Sequence, residues 1–345
     1  MFFLKSLTVL LYKNVYVIFA QKTIMIIVTG AAGFIGSYFA GHLLKQGYRD
    51  IVLVDDFGRI NKEPNHKDKD VTARVERHVF FDWLAENEKQ VQFIVHLGAR
   101  TDTTEFSTAI FDELNFGYSC RIWNACVQYG LPLIYASSAA TYGEGENGYR
   151  DDESRISLLK PLNPYGESKN RFDLWALEQK EKPFFWAGFK FFNVYGPNEY
   201  HKGRMASVVF HSFNQINDTG KVRLFRSHRP GFADGEQIRD FIYVADVAKV
   251  LQHFMENRKH SGIYNLGTGK ARSFNHLVQA VFSAMNKATE IEYIDIPEDI
   301  RDKYQYYTEA DMNKMRQAGY SNRFTSLEEG ISDYVSRYLM NQKIF

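Results

Sequence analysis

This sequence predicts an α/β fold, a doubly wound parallel sheet of the Rossmann type with a smaller, interleaved C-terminal substrate-binding lobe. Three observations predict it. Short apolar strands alternate with amphipathic helices through the first half of the chain. The segment Gly30-Ala31-Ala32-Gly33-Phe34-Ile35-Gly36 directly follows the apolar run Met25–Val28, so three glycines fall at a strand-to-helix turn. Asp55 ends the next apolar run, about 20 residues further on, where a carboxylate reaches the adenosine ribose of a dinucleotide.

The elements follow in order. Met25–Thr29 reads as a strand, Phe34–Gln46 as a helix ended by Gly47, and Ile51–Val54 as the next strand. Phe93–His96 and Leu133–Ala136 are short buried strands with a helical stretch, Ser119–Tyr129, between them, and Phe189–Phe192 continues the series. Asn163 caps a helix that runs through Glu178, with Pro164 in its first turn. Beyond Tyr195-Gly196-Pro197 the alternation is less regular. Met205–Asn217, Phe274–Met285 and Ser326–Met340 read as helices, Lys221–Phe225 as a strand and Arg226–Gln237 as a long polar loop. The expected division is a dinucleotide-binding domain over 25–195 and a substrate lobe mainly over 196–345, with Arg239–Val250 and Ile263–Leu266 returning to the main sheet region.

Residues 1–24 form an extension ahead of the first strand. Met1–Ala20 is apolar and aromatic, but Lys5 and Lys13 interrupt it, so no uncharged run approaches the roughly 20 residues of a membrane helix. A misassigned start, with Met25 as the true first residue, is expected rather than a signal peptide. The chain of 345 residues carries a net charge of +1, which gives it no overall electrostatic footprint for nucleic acid or membrane. Two cysteines, Cys120 and Cys126, are too few for a disulfide framework, and no His/Cys cluster has metal-ligand spacing. A reduced, cytoplasmic setting is expected, with no metal.

At the glycine turn, Gly30 permits the tight bend, Gly33 lets backbone approach a pyrophosphate, and Gly36 lets helix and strand pack closely. Phe34 and Ile35 open the helix whose free N–H groups and dipole face the phosphates. Asp55 and Asp56 repel a 2′-phosphate and favour NAD, whereas Arg59 and Lys62 could neutralise that phosphate or simply be solvated. Leu97-Gly98-Ala99 suits a loop passing beside the nicotinamide.

Tyr165 and Lys169 are four residues apart on a helix and share one face. A free tyrosine titrates near ~10 and is a poor base at neutral pH. A neighbouring lysine cation favours the phenolate and lowers that value. Ser138, in the upstream pair Ser137-Ser138, supplies a hydroxyl for the reacting oxygen. The set would abstract an alcohol proton while hydride leaves the carbon for a nicotinamide.

Together these residues resemble the extended short-chain dehydrogenase/reductase superfamily, which mostly acts on nucleotide sugars, and Arg239-Asp240-Phe241-Ile242-Tyr243-Val244 fits it too. Within it, Ser137–Gly143, Phe192-Asn193-Val194-Tyr195-Gly196-Pro197, His201–Ser207 and Tyr304-Gln305 with Thr308–Asp311 resemble the ADP-L-glycero-D-manno-heptose 6-epimerase family. The likeness runs from Met25 to near the C-terminus. It implies an ADP-heptose substrate oxidised at carbon 6 to a transient ketone, which turns in the site and receives hydride on its other face. It also implies NADP as cofactor (NAD being the alternative), a role in lipopolysaccharide core synthesis, and a homo-oligomer, with a pentamer expected.

Two acid/base groups on opposite faces are then required. Tyr165 matches one and Lys202 the other, although Lys202 also suits a diphosphate. The resemblance assigns the nucleotide sugar to Asn193, His211, Phe225, Arg239 and Tyr304. Core packing is the other reading of Phe225 and Tyr304. Asn115 and Val194 match the cofactor side, Asn115 being equally suited to a helix start. Arg204 stands where the family usually has serine, and Arg226-Ser227-His228 with the longer loop after it replaces a shorter, more acidic segment beside the nucleotide. Asp56 replaces a common asparagine. The nucleotide base and the choice of cofactor therefore stay open. A dehydratase would need a carboxylate pair just after Thr141, and Thr141 with its neighbours Ala139, Ala140 and Tyr142 supplies none. A hexose 4-epimerase is the alternative enzyme, and a non-enzymatic nucleotide sensor would not need Ser138, Tyr165 and Lys169 together.

Overall fold

The computed structural model describes residues 25–103, 105, 107–301 and 304–345. The extension expected over residues 1–24 lies outside the described residues. Seven strands form the main sheet: β1 (Met25–Thr29), β2 (Ile51–Asp55), β3 (Ala73–Glu76), β4 (Val91–His96), β5 (Leu133–Ser138), β6 (Trp186–Phe191) and β7 (Gly262–Leu266). All neighbours pair in parallel, in the order β7-β6-β5-β4-β1-β2-β3. Every residue of β1 and β2 is buried, as strands covered by helices on both faces must be. The order reverses between β1 and β4. The crevice outside their carboxyl ends is where such sheets bind ligands.

Helices α1 (Phe34–Lys45), α2 (Phe80–Asn87), α3 (Tyr118–Gln128), α4 (Pro164–Glu178), α5 (Val208–Thr219) and α6 (Val244–Glu256) cover the sheet and build the second half. The α4 cap is as expected: Asn163 Oδ1 accepts from the Gly166 N–H at 2.8 Å, with Pro164 opening the helix. Strand β3 was not expected. Its sequence Ala-Arg-Val-Glu buries only Val75, so it carries too little apolar signal to stand out. Helix α3 is preceded by a π-turn, Asp112–Gly117, that swings Asn115 into the interior. Helix α5 starts three residues later than Met205 because Tyr200–Met205 forms a tight turn around Gly203 (φ 54°), and Ser207 then caps the helix. The helix expected over Ser326–Met340 divides into Leu327–Tyr334, opened by a Ser326–Glu329 capping box, and a π-turn over Val335–Leu339.

The return segments behave differently from one another. Gly262–Leu266 joins the main sheet beside β6. Phe241–Tyr243 instead pairs with Asn193–Tyr195 in a separate two-stranded sheet. The following helix, α6, returns to α1 through His42–Gln252 (2.6 Å) and meets Tyr48, just beyond the end of α1, through Glu256 (2.7 Å). A further parallel pair, Val222–Phe225 with Ile291–Ile294, frames the C-terminal lobe. Buried apolar side chains of both halves form one cluster. Among the described residues no helix is long and apolar enough to cross a membrane.

Candidate active site

The glycine turn closes as tightly as its composition suggests. Gly30 has φ +69°, and a Cβ there would lie 2.6 Å from the Gly98 backbone. A Cβ on Gly36 would lie 2.2 Å from the Gly30 carbonyl oxygen. Gly33 stands at the α1 N-cap and offers no side chain to the first N–H groups, which leaves them for an anion. A cleft beside this turn is walled by Gly30, Gly33, Phe34, Ile35 and Gly36, then by Asp55, Asp56 and Lys62, and then by Leu97, Gly98 and Ala99. A glycine cradle that any Cβ would fill, open helix N–H groups and a ring of basic side chains fit a dinucleotide with its pyrophosphate.

Asp55 is largely spent on the fold. Its Oδ2 accepts from the Ala32 N–H at 2.9 Å and its Oδ1 from the Asp56 N–H at 2.8 Å, with Lys62 Nζ at 3.5 Å. The carboxylate thus ties the glycine turn to the end of β2. Asp56 faces outward against Arg59 at 3.0 Å, and this hydrogen bond holds its carboxyl below the usual range. Arg77, just past β3, lines the same cleft and was missed by the sequence reading because β3 itself was missed. His96 was missed as well. At the end of β4 it hydrogen-bonds Thr29 Oγ1 (2.7 Å) and Ser119 Oγ (2.9 Å). Burial pushes its pKa down to about 3, with the Lys169 cation adding to the effect, so the ring is neutral. The Gly98 N–H donates to the same Thr29 hydroxyl at 3.3 Å, which pins the Leu97–Ala99 loop against Gly30.

Ser138, Tyr165 and Lys169 meet where β5 ends against α4. The Ser138 hydroxyl accepts from the Ala140 N–H at 3.1 Å and hydrogen-bonds the Tyr165 phenol. Lys169, one turn along α4, donates to the Ala136 carbonyl at 2.9 Å. The expected depression of the Tyr165 pKa by Lys169 is corrected here. Burial raises the phenol above its ordinary value, the Ser138 hydrogen bond offsets this in part, and the lysine cation is directed at a backbone carbonyl. Burial lowers the Lys169 ammonium to about 8, against support from the Asp173 carboxylate.

Lys202 lies on the Tyr200–Met205 turn and lines the dinucleotide cleft, its Nζ 5.4 Å from the centre of the Phe34 ring. Burial lowers its pKa, opposed by Glu199. Glu199 is itself buried and accepts from the Ser207 N–H and hydroxyl, which anchors the turn. The neighbouring His201 is lowered to about 4 by burial and then by Lys62 and Lys202. Arg204 is exposed and pairs with Asp102 at 3.6 Å, and its carbonyl meets His211 Nε2 at 3.3 Å.

In the C-terminal lobe, Phe225 and Tyr304 meet edge-to-face at 5.6 Å. The buried Arg239 guanidinium lies 5.5 Å from the Tyr304 ring and donates to the Ile238 and Gln305 carbonyls. Arg226 is exposed, Ser227 N–H donates to Asp234 (2.8 Å) and His228 N–H to the Tyr306 hydroxyl (2.9 Å). Asn193 is exposed and Val194 half-buried on the strand paired with Phe241–Tyr243. Asn115 is not at the cleft wall. Its amide holds the Arg100 N–H (2.7 Å) and carbonyl (3.0 Å) and the Ser168 hydroxyl (3.0 Å), so it positions neighbours from the interior. Among the described residues, no group of three or more His, Cys, Asp or Glu is placed to hold a metal ion.

A dinucleotide cradle beside a Ser-Tyr-Lys cluster defines a class of nicotinamide enzymes, and residues 26–267 match the NAD dependent epimerase/dehydratase family. The chain belongs to that family, and its cofactor is a nicotinamide dinucleotide. More particularly, it is 47% identical to an ADP-L-glycero-D-manno-heptose-6-epimerase of Fusobacterium nucleatum, over 92% of this chain and 99% of the relative. It is 48% identical to one of Nitratidesulfovibrio vulgaris, over 91% of this chain and 98% of the relative. The crystal structure of the Helicobacter pylori ADP-L-glycero-D-manno-heptose-6-epimerase superposes with a TM-score of 0.75 at 27% identity, covering 92% of this chain and 96% of that one.

Proposed function

We propose that this chain is an epimerase that inverts carbon 6 of ADP-D-glycero-D-manno-heptose to give the L-glycero form, supplying lipopolysaccharide core synthesis in the cytoplasm. The observation that carries the reading is near-full-length identity of 47% to a relative of that name, joined to a Ser-Tyr-Lys cluster and a second buried lysine. The Gly30–Gly36 turn and the Leu97–Ala99 loop would hold the dinucleotide, whose nicotinamide would supply reversible hydride chemistry at carbon 6. The protein supplies the proton transfers. Lys202, whose ammonium is destabilised by burial, reaches the neutral amine more readily and takes the hydroxyl proton on one face. Tyr165, held as a phenol by burial, gives a proton to the ketone oxygen on the other, with Ser138 orienting that oxygen. Each turnover leaves Lys202 protonated and Tyr165 ionised, and exchange with water resets both.

NADP is the favoured cofactor. Arg59, Lys62 and Arg77 line the cleft at the end of β2, and Asp55 is turned toward the glycine loop. These are the charges a 2′-phosphate needs. Phe225, Arg239 and Tyr304, with Asn193, His211 and the 226–228 segment, are proposed to hold the nucleotide sugar, Arg239 at the diphosphate. A homo-oligomer is proposed from the family likeness. The test is NMR of the purified protein with ADP-D-glycero-D-manno-heptose, alone and with NADP or NAD added. Conversion to the L-glycero epimer is expected, and its absence with either cofactor overturns the reading.

A further inference from the structure

Tyr165 and Lys169 belong to α4, whereas Ser138 belongs to the end of β5, so the cluster works only if strand end and helix keep one relative position. A buried ion pair lies behind it. Asp173 Oδ2 and Lys190 Nζ are 2.7 Å apart, with neither side chain exposed to solvent. Asp173 is one helical turn beyond Lys169, and Lys190 lies inside β6. The same Asp173 oxygen accepts from the Ser137 hydroxyl at 2.7 Å, and the other accepts from the Tyr135 phenol at 3.1 Å, both on β5. Lys190 also donates to the Thr141 hydroxyl at 2.7 Å, which in turn donates to the Ser138 carbonyl at 2.8 Å. Ser138 is therefore gripped on both sides, through Ser137 by the helix and through Thr141 by β6.

We infer that Asp173 and Lys190 are positioning residues for the reaction proposed above, locking the Ser138 end of β5 to the helix that carries Tyr165 and Lys169. The inference rests on that reading of the reaction, but the geometry it concerns exists without substrate. A pair buried only for packing would be replaceable by apolar side chains of like volume at little loss. This pair differs because its polar partners lie on the segments flanking a reacting group. The Asp173 carboxylate is also the charge that supports the Lys169 ammonium against burial.

The test compares the wild type with D173N and with D173N/K190M, the second variant removing the buried cation that the first leaves unpaired. In the double variant, kcat for heptose epimerisation should fall by about tenfold or more with KM changed by less than about threefold, because orientation rather than binding is lost. D173N removes the one charge that favours the Lys169 cation, so the alkaline limb of its pH profile should move to lower pH. The second readout needs no turnover. In 13C-lysine-labelled protein, the resonance absent from K169M should titrate at lower pH in D173N than in the wild type. Folded variants with wild-type kcat and an unmoved Lys169 titration would overturn the inference. A wild type that converts no heptose would overturn the reaction alone, with the lysine titration still deciding the role of Asp173.

Discussion

At the scale of residues, the site depends on how burial treats two kinds of group. It raises the Tyr165 phenol and lowers the Lys169 and Lys202 ammoniums, in each case because the charged form loses its hydration. Lys169 deprotonates near pH 8. A kcat profile from pH 6 to 10 should therefore rise as Lys202, lowered by burial, loses its proton, and fall through about 8 as Lys169 loses the cation proposed to hold the nicotinamide ribose. The same shift has a stability side. The unfolded chain holds more protons at this site between about 8 and the ordinary lysine value near ~10.4. The opposition of Lys169 to folding is thus greatest below that window and fades as pH rises through it. Y165F and K202M should each lower kcat for heptose epimerisation by about 10²–10⁴ in steady-state assays, since each removes a proton-transfer group. Gly30, Tyr165 and Lys169 were legible in the sequence because their spacing encodes their geometry. The direction of Lys169 toward the Ala136 carbonyl, rather than toward the phenol, depends on where β5 ends and was not.

At the scale of elements, the local rules that placed the helices also predict what breaks them. N163A removes the side chain that receives the Gly166 N–H, and should cost about 1 kcal/mol in urea unfolding. That loss would reach the active site, because Tyr165 sits in the capped turn. G36A places a methyl 2.2 Å from the Gly30 carbonyl oxygen, against the backbone of Gly30 and Ala31. We expect a loss of about 1–3 kcal/mol and weakened dinucleotide binding, measured by thermal unfolding with and without cofactor. Elements with continuous apolar runs or a cap signature were readable in advance. Those without were not: β3 buries one valine, and the π-turn ahead of α3 is set by the internal contacts of Asn115. Missing β3 also hid Arg77, the basic residue that strengthens the case for NADP.

At the scale of the whole molecule, the switch point of the sheet between β1 and β4 brings residues distant in sequence to one cleft. Gly30 and Gly98 touch there, Asn65 joins Ala32 to Asn198, and the Lys202 turn closes over Phe34. The fold class was legible because a parallel sheet needs only strand-helix alternation to announce itself. The C-terminal lobe was less so, since its short paired strands draw partners from across the chain, as Ile238–Arg239 does with Arg272–Ser273. The central claim is that one carbon is oxidised and then reduced on its opposite face within a single site. The most direct measurement uses ADP-D-glycero-D-manno-heptose deuterated at carbon 6, turned over in ordinary water and followed by NMR. The account predicts the L-glycero product with deuterium retained at carbon 6. Inversion with loss of the label to solvent would contradict it.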